Sequence, residues 1–379
     1  MVSETLERKG TDIDVKVVDC DVHLVPKTKD ELFERMPEPW RSRMGARRAN
    51  ATGKSTYAQF AGGKRRDSYP PTGAPPGSEP DFVHSQLFDD AGVDFALVIP
   101  EVRYTVDPEV NAAWCHAMNS WLSDTWLDKW SGGGRLFGTI AVSHDNPAGA
   151  AKEIEEWAEH PQFKQVLISD VSERPLGFPQ YEPVWEAASR HGLPVAMHFT
   201  GHGAGALGST PVGRFQHHVD YHSIAYPLVY SAHLVSLLCS GVFDRYPDLR
   251  FVFVEGGFLW HRPIVARLAR HWERFSGEVI AVDNPLNYVL KHVRFTSQPI
   301  EESDEVGHVA RLMELADADR TLMFSSDYPH FDYDDPKRAL PKGLSKEARG
   351  RIMSGNAREL YNLPSTRPLP NTASDGSSL

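Results

Sequence analysis

A closed barrel of eight parallel strands, each followed by a helix, is the fold class this sequence predicts. Eight short apolar runs bounded by turn residues recur along the chain, segments of helical period separate them, and several runs end on a carboxylate or an imidazole. Strand and helix patterns in alternation call for a parallel sheet, and eight such units suffice to close it. A barrel of this kind collects its active site at the C-terminal ends of its strands, which is where the polar residues fall.

The strands are expected at 16–20, 95–100, 136–142, 165–169, 194–198, 250–254, 293–297 and 321–325, with helices at 109–126, 146–159, 181–191, 227–243, 263–275 and 304–316. The run beginning at Pro227 is apolar nearly all round but too short to span a bilayer, so it reads as a buried helix. The rhythm breaks between Lys27 and Val93, where Gly and Pro crowd into 69–77 and Lys64, Arg65 and Arg66 stand together. That stretch reads as a long insertion after strand 1, a loop or cover over the active-site end. One barrel domain is expected over 1–363, including the 27–93 excursion, and the Ser-, Thr- and Pro-rich stretch 364–379 is expected to be a disordered tail.

A hydrophobic fraction of 41% with 24% charged residues suits a globular protein with a sizeable core and excludes wholesale disorder. The formal net charge of -11, without a basic patch, argues against nucleic acid as a partner. A small-molecule substrate is expected instead. Cys20, Cys115 and Cys239 are too scattered for a paired-thiol metal site and odd in number for a closed disulfide set, which fits a reducing cytoplasm. The polar N-terminal stretch lacks the apolar core of a signal peptide, and no stretch is apolar for long enough to cross a membrane. The expectation is a cytoplasmic protein without a membrane partner.

The first chemical signal is the run from Val17 to His23, an apolar strand ending in Asp21 and His23. Residues two apart on a strand share a face, so both side chains can address one metal ion. Alone, the pair reads as an ordinary strand-end turn. The strand at 194–198 stops on His198, and the strand at 321–325 delivers Asp327 just beyond its end. Asp21, His23, His198 and Asp327 together form a mixed oxygen and nitrogen donor set suited to a divalent metal: Zn first, with Mn or Fe as alternatives.

With those residues in view, the sequence resembles the amidohydrolase superfamily, in its amidohydrolase-2 branch. That branch includes aminocarboxymuconate-semialdehyde and aromatic-acid decarboxylases and several ring-opening hydrolases. The likeness extends from Val17 to the Asn356–Tyr361 segment and takes in the stretches beginning at Tyr181, Gly241 and Phe324. It implies a (β/α)8 barrel in which Asp21 and His23 are the strand-1 metal pair, His198 the strand-5 ligand and Asp327 a strand-8 carboxylate that also handles a proton. It further implies a homo-oligomer, a dimer.

Two positions depart from the pattern. Decarboxylases of this branch usually carry a histidine at the tip of strand 6, where this chain has Glu255, and strand 4 lacks a lysine that could be carboxylated to bridge two metals. Glu255 can serve as a general acid or base, or it can help to hold a second metal ion with His202 and His222. The surrounding His217, His218 and His233 have bland alternatives, the first two as exposed residues and the last as packing in its helix. Arg103, Trp260 and His330 are candidate substrate-binding residues, and His261 a pocket-lining one. Each has a structural alternative as a surface residue, core residue or turn former.

The leading expectation is a metal-dependent hydrolase or carboxy-lyase for a small carbonyl or carboxylate compound, aromatic ones included. The metal lowers the pKa of water and polarises a substrate oxygen while Asp327 takes or returns the proton. The rival reading is a dinuclear Fe or Mn oxygenase using Glu255, and a third is a catalytically inactive barrel that partners an active paralogue.

Overall fold

The structure is a computed structural model that describes residues 13–45, 63–101, 107–170, 172, 174–198, 218–301, 303, 305 and 307–367. Eight strands follow one another in chain order around one parallel sheet: β1 (Val18–Val22), β2 (Phe95–Val98), β3 (Leu136–Ala141), β4 (Phe163–Ser169), β5 (Val195–His198), β6 (Phe251–Val254), β7 (Val293–Thr296) and β8 (Leu322–Met323). Closure comes from backbone hydrogen bonds between the first and last strands. Cys20 N–H donates to Phe324 O at 3.0 Å, Asp327 N–H to Asp21 O at 3.1 Å and His23 N–H to Tyr328 O at 2.7 Å. All eight expected strands are present, so the (β/α)8 barrel expected from the sequence is the fold observed.

Alternation along the strands separates two apolar clusters. Val18, Cys20, Phe95, Leu97, Phe137, Leu167, Ala196, Val252, Val254 and Met323 form one that contains no residue of the flanking helices before 356, and it therefore fills the barrel. Val22, Val98, Ile140, Val166, Met197, Phe253, Phe295 and Leu322 belong to the other, with the helices that wrap the outside. β1 breaks its own alternation. Val18 and Cys20 face inward, yet Val22 packs outward, because the register with β2 shifts between Asp19 and Val22. The irregularity turns Asp21 and His23 toward the axis at the strand end, the re-aiming expected of a bulge beside a functional site.

The wrapping helices are α1 (Pro108–Leu122), α2 (Pro147–Trp157), α3 (Glu182–Arg190), α4 (His218–Cys239), α5 (His261–Phe275), α6 (Pro285–His292), α7 (His308–Leu315) and α8 (Asn356–Tyr361). The helix expected at 227–243 begins nine residues earlier and ends at Cys239, because Pro227 is tolerated inside it. Neither α6 nor α8 was expected. α6 carries its own start signal, an Asn284 cap that accepts from Leu286 N–H ahead of Pro285. No helix among the described residues is long and apolar enough to cross a membrane.

The N-terminal end of the barrel is closed by a short antiparallel pair, Ile13–Asp14 with Thr366–Arg367. Asp94 ties it down: its carboxylate accepts from Lys16 N–H at 2.7 Å, Val17 N–H at 3.1 Å and Arg367 Nε at 2.6 Å. Both partners of this ion pair are largely buried. Asp94→Ala is expected to cost about 3 kcal/mol, since it strands a shielded guanidinium and two backbone donors. A lower urea midpoint with an unchanged slope would show it.

The 27–93 excursion has more local structure than a loop. Its described parts hold short helices at Asp30–Phe33, Trp40–Gly45, Pro80–Val83 and His84–Asp90. Two points bring it over the C-terminal mouth. Lys64 forms an antiparallel bridge with His330, flanked by hydrogen bonds from Arg65 N–H to Pro329 O and from Phe331 N–H to Gly63 O. Val25 N–H donates to Gly77 O.

Candidate metal centre and active site

β1 contributes a carboxylate and an imidazole held from behind. The buried Asp19 accepts from Asp21 N–H at 3.2 Å, Ser326 N–H at 2.9 Å and Ser326 Oγ at 2.5 Å, so it stitches the bulged strand to the end of β8. Burial pushes its carboxyl up to about 7. His23 Nδ1 lies 2.9 Å from Ile99 O. A carbonyl only accepts, so Nδ1 carries the hydrogen and Nε2 faces the site. There it meets Asp21 Oδ1 at 3.1 Å and Asp327 Oδ1 at 3.0 Å. Burial disfavours a charged His23 ring, but the two carboxylates outweigh it and draw its pKa well up.

The excursion leaves no slack around this histidine. Gly77 has φ +77°, and a Cβ there would lie 2.6 Å from His23 O. Gly77→Ala is expected to cost about 2 kcal/mol from the left-handed backbone and the clash. It is also expected to weaken metal binding, because the carbonyl that must move belongs to His23, a candidate ligand. A denaturation curve paired with a metal titration checks both.

His198 ends β5 in register with Ser169 and Val254. Its Nε2 faces Glu255 Oε2 at 3.2 Å and Asp21 Oδ2 at 3.7 Å. Burial pushes its pKa down to about 4, which favours a neutral ring with a free lone pair. Glu255 follows β6 with φ 54°, its N–H bonded to Thr296 Oγ1 and its Oε1 accepting from Tyr226 at 3.2 Å. Burial, together with the charges of Asp327, Asp21 and Asp332, raises its carboxyl well above the usual range.

Asp327 also has a left-handed backbone, φ 60°, unusual for a residue with a side chain and typical of positions where function sets the geometry. Its Oδ1 is held by His330 Nδ1 at 2.5 Å as well as by His23. Burial would raise its pKa, but His330 and His23 keep it well below the usual carboxylate range. Lys64 Nζ lies 2.8 Å from His330 Nε2 and 2.5 Å from Glu101 Oε1.

Asp21, His23 and His198 bring donor atoms within 4.8 Å of one another, and so do His23, Asp327 and His330, so the two groups share His23. Asp21 Oδ1 and Oδ2, His23 Nε2, His198 Nε2 and Asp327 Oδ2 are all buried without a hydrogen bond. Polar atoms in that state are costly unless something else satisfies them. A divalent cation does so: two carboxylates and two imidazoles are a donor set that Zn, Mn and Fe accept, the cation taking the place of the proton that the carboxylates draw to His23. The residues present fit the metal expected from the sequence.

Of the other candidates, Glu255 and His330 stand at this site. The indole N–H of Trp260 donates to Gly257 O, and its ring packs on Tyr230, Phe253 and Phe295. His261 is buried against Phe295 and Phe258 O, and His233, within α4, has Nε2 3.2 Å from Asp170 O just past β4. Arg103, His202, His217 and the side chains of His218 and His222 lie outside the described residues. Sequence reasoning missed Asp19, Glu101, Asp332 and Tyr226 altogether, and it noted Lys64 only as one of three adjacent basic residues. Asp19 had a legible signal, being a third carboxylate spaced by two from Asp21. Asp332 completes a further group with Glu255 and Asp327 within 4.8 Å.

An eight-stranded parallel barrel with acidic and imidazole groups gathered at the C-terminal mouth is the make-up of a metal-dependent barrel enzyme. The amidohydrolase family profile matches residues 18–363, and the chain belongs to that family of metal-dependent enzymes. No curated protein matches the sequence. Among solved structures, an amidohydrolase from Mycobacterium avium subsp. paratuberculosis K-10 is similar at TM-score 0.66 and 20% identity, covering 93% of this chain and 99% of its own. The 5-carboxyvanillate decarboxylase of Sphingomonas paucimobilis gives 0.65 and 17%, covering 92% and 100%. A dihydroxybenzoic acid decarboxylase of Polaromonas sp. JS666, solved with bound manganese and the inhibitor 2-nitroresorcinol, gives 0.62 and 17%, covering 92% and 97%. At such identities the likeness shows the shared fold.

Proposed function

We propose that this chain is a carboxy-lyase that uses a divalent metal, Mn or Zn, to decarboxylate a small aromatic carboxylate. Glu255 carries the reading. It is a buried carboxyl 3.2 Å from His198 Nε2, beside the metal donors, and burial with the neighbouring carboxylates pushes its pKa up, the direction that suits an acid delivering a proton to carbon. The decarboxylases among its structural neighbours support the substrate class.

Asp21, His23, His198 and Asp327 would hold the ion, which when bound supplies Lewis-acid polarisation of a substrate oxygen. Loss of the carboxylate as CO2 leaves the electron pair of the broken carbon–carbon bond on the ring carbon, and Glu255 gives that carbon its proton. Asp327, kept ionised by His330 and His23, takes the proton of a substrate hydroxyl or of water. The two carboxyls lie in one group with Asp332, so a proton can return from Asp327 to Glu255. The pairing divides the labour between a carboxyl pushed up and one pulled down.

The test is to reconstitute the purified chain with Mn or Zn and offer it hydroxylated benzoates, 2,6-dihydroxybenzoate and 5-carboxyvanillate among them, in D2O. The expected result is CO2 release with one deuterium on the carbon that lost the carboxylate. Turnover of esters, lactones or amides with water incorporated and no CO2 would replace this reading with a hydrolase. The Glu255, Asp327 and Asp332 group favours a second reading, a dinuclear oxygenase with another cation there. Two equivalents of Fe or Mn and an oxygen-dependent product would support it.

A further inference from the structure

We infer that Lys64, delivered by the excursion, is a positioning residue that sets which nitrogen of His330 faces Asp327 and thereby reserves Asp327 Oδ2 for the cation. The excursion pairs with the segment after β8 through the Lys64–His330 bridge and its two flanking backbone hydrogen bonds. The bridge places the Lys64 ammonium, 13% exposed, 2.8 Å from His330 Nε2. Two nitrogens at that separation attract only if one brings a hydrogen and the other a lone pair. An ammonium has three N–H donors and no lone pair, so toward Lys64 Nε2 acts as the acceptor; Glu101 Oε1, at 3.4 Å, is farther from Nε2 than the ammonium is and takes its own hydrogen from Lys64. Glu101 Oε1, 2.5 Å from the same Nζ, pairs with the lysine and anchors it beside His330.

A neutral imidazole with Nε2 bare carries its hydrogen on Nδ1, and Nδ1 lies 2.5 Å from Asp327 Oδ1. The N–H therefore points at Oδ1, which also faces His23, while Oδ2 is buried without a hydrogen bond. Each contact runs one way, from Lys64 to His330 to Asp327, and the free end is the oxygen that meets the metal. Partners of a ligand commonly fix its orientation and basicity in this fashion, and their loss typically weakens metal binding by about 10- to 100-fold.

The inference needs no substrate, so it stands or falls separately from the carboxy-lyase reading. The experiment uses the full chain loaded with Zn, which is diamagnetic, and labelled with 15N-histidine. Wild type is expected to show His330 with a protonated Nδ1 and a bare Nε2. Lys64→Met is expected to abolish that pattern and to weaken Zn affinity, measured by chelator competition, by about tenfold. Lys64→Arg, which restores a cationic donor, is expected to recover most of both. A His330 in wild type with its hydrogen on Nε2 would overturn the inference. So would a Lys64→Met variant, folded by circular dichroism, with an unchanged His330 spectrum and Zn affinity. If Lys64→Met proves unstable, the wild-type and Lys64→Arg spectra still decide the matter.

Discussion

Asp327→Asn is expected to lower turnover by about a thousandfold or more at saturating metal, the scale on which removal of a proton-handling group is felt. The amide retains the shape, and its oxygen can still accept from His330 Nδ1, so the fold should hold. What it loses is the ionised oxygen. Asp327 Oδ2 is buried and without a hydrogen bond, and the neighbouring imidazoles hold the group in its charged form. Metal content measured beside turnover separates two causes. Loss of turnover with metal retained is the expected result and indicates the proton role, whereas loss of both would reduce Asp327 to a ligand. Unchanged turnover with a full complement of metal would remove Asp327 from the chemistry.

The second large effect concerns stability. Without a cation, the donors of Asp21, His23, His198 and Asp327 face one another buried and unsatisfied. A ligand that binds only the folded state stabilises it by mass action, by about 4 kcal/mol at a thousand times its Kd. The chelator-treated protein should therefore melt several degrees below the Zn- or Mn-loaded protein, with a Tm that rises with metal concentration. His23→Ala should abolish that response, because His23 belongs to both donor groups. A Tm indifferent to metal in the wild-type chain would mean that these side chains do not share an ion.

The parts legible in the sequence were those written locally. Each barrel strand is an apolar run with turn residues at its ends, and Asp21, His23, His198 and Asp327 sit at or just past those ends, so strand position nominated them, whereas Glu255 stood out against the histidine that the resembled family carries at the tip of strand 6. The inward turn of Asp21 and His23 was foreseen from alternation, but it depends on a register shift that alternation cannot reveal. Lys64, Glu101 and His330 come from three separated stretches and meet only because the excursion pairs with the chain beyond β8. No spacing rule foresees a contact across 266 positions. The surroundings of Trp260 were equally beyond a local reading. The residue lies next to the Gly256–Gly257 turn, but the turn sends its ring back among the aromatic residues of the barrel wall.

The left-handed backbone at Glu255 and Asp327 sets heat tolerance against chemistry. Glycine would occupy either place with about 1 kcal/mol less torsional cost, and it would erase the carboxylate. A library screened only for survival at high temperature should accordingly accumulate glycine at 255 or 327, drifting toward a sturdier and inert barrel. Descendants that still turn over substrate would be the ones that kept the uncomfortable residue.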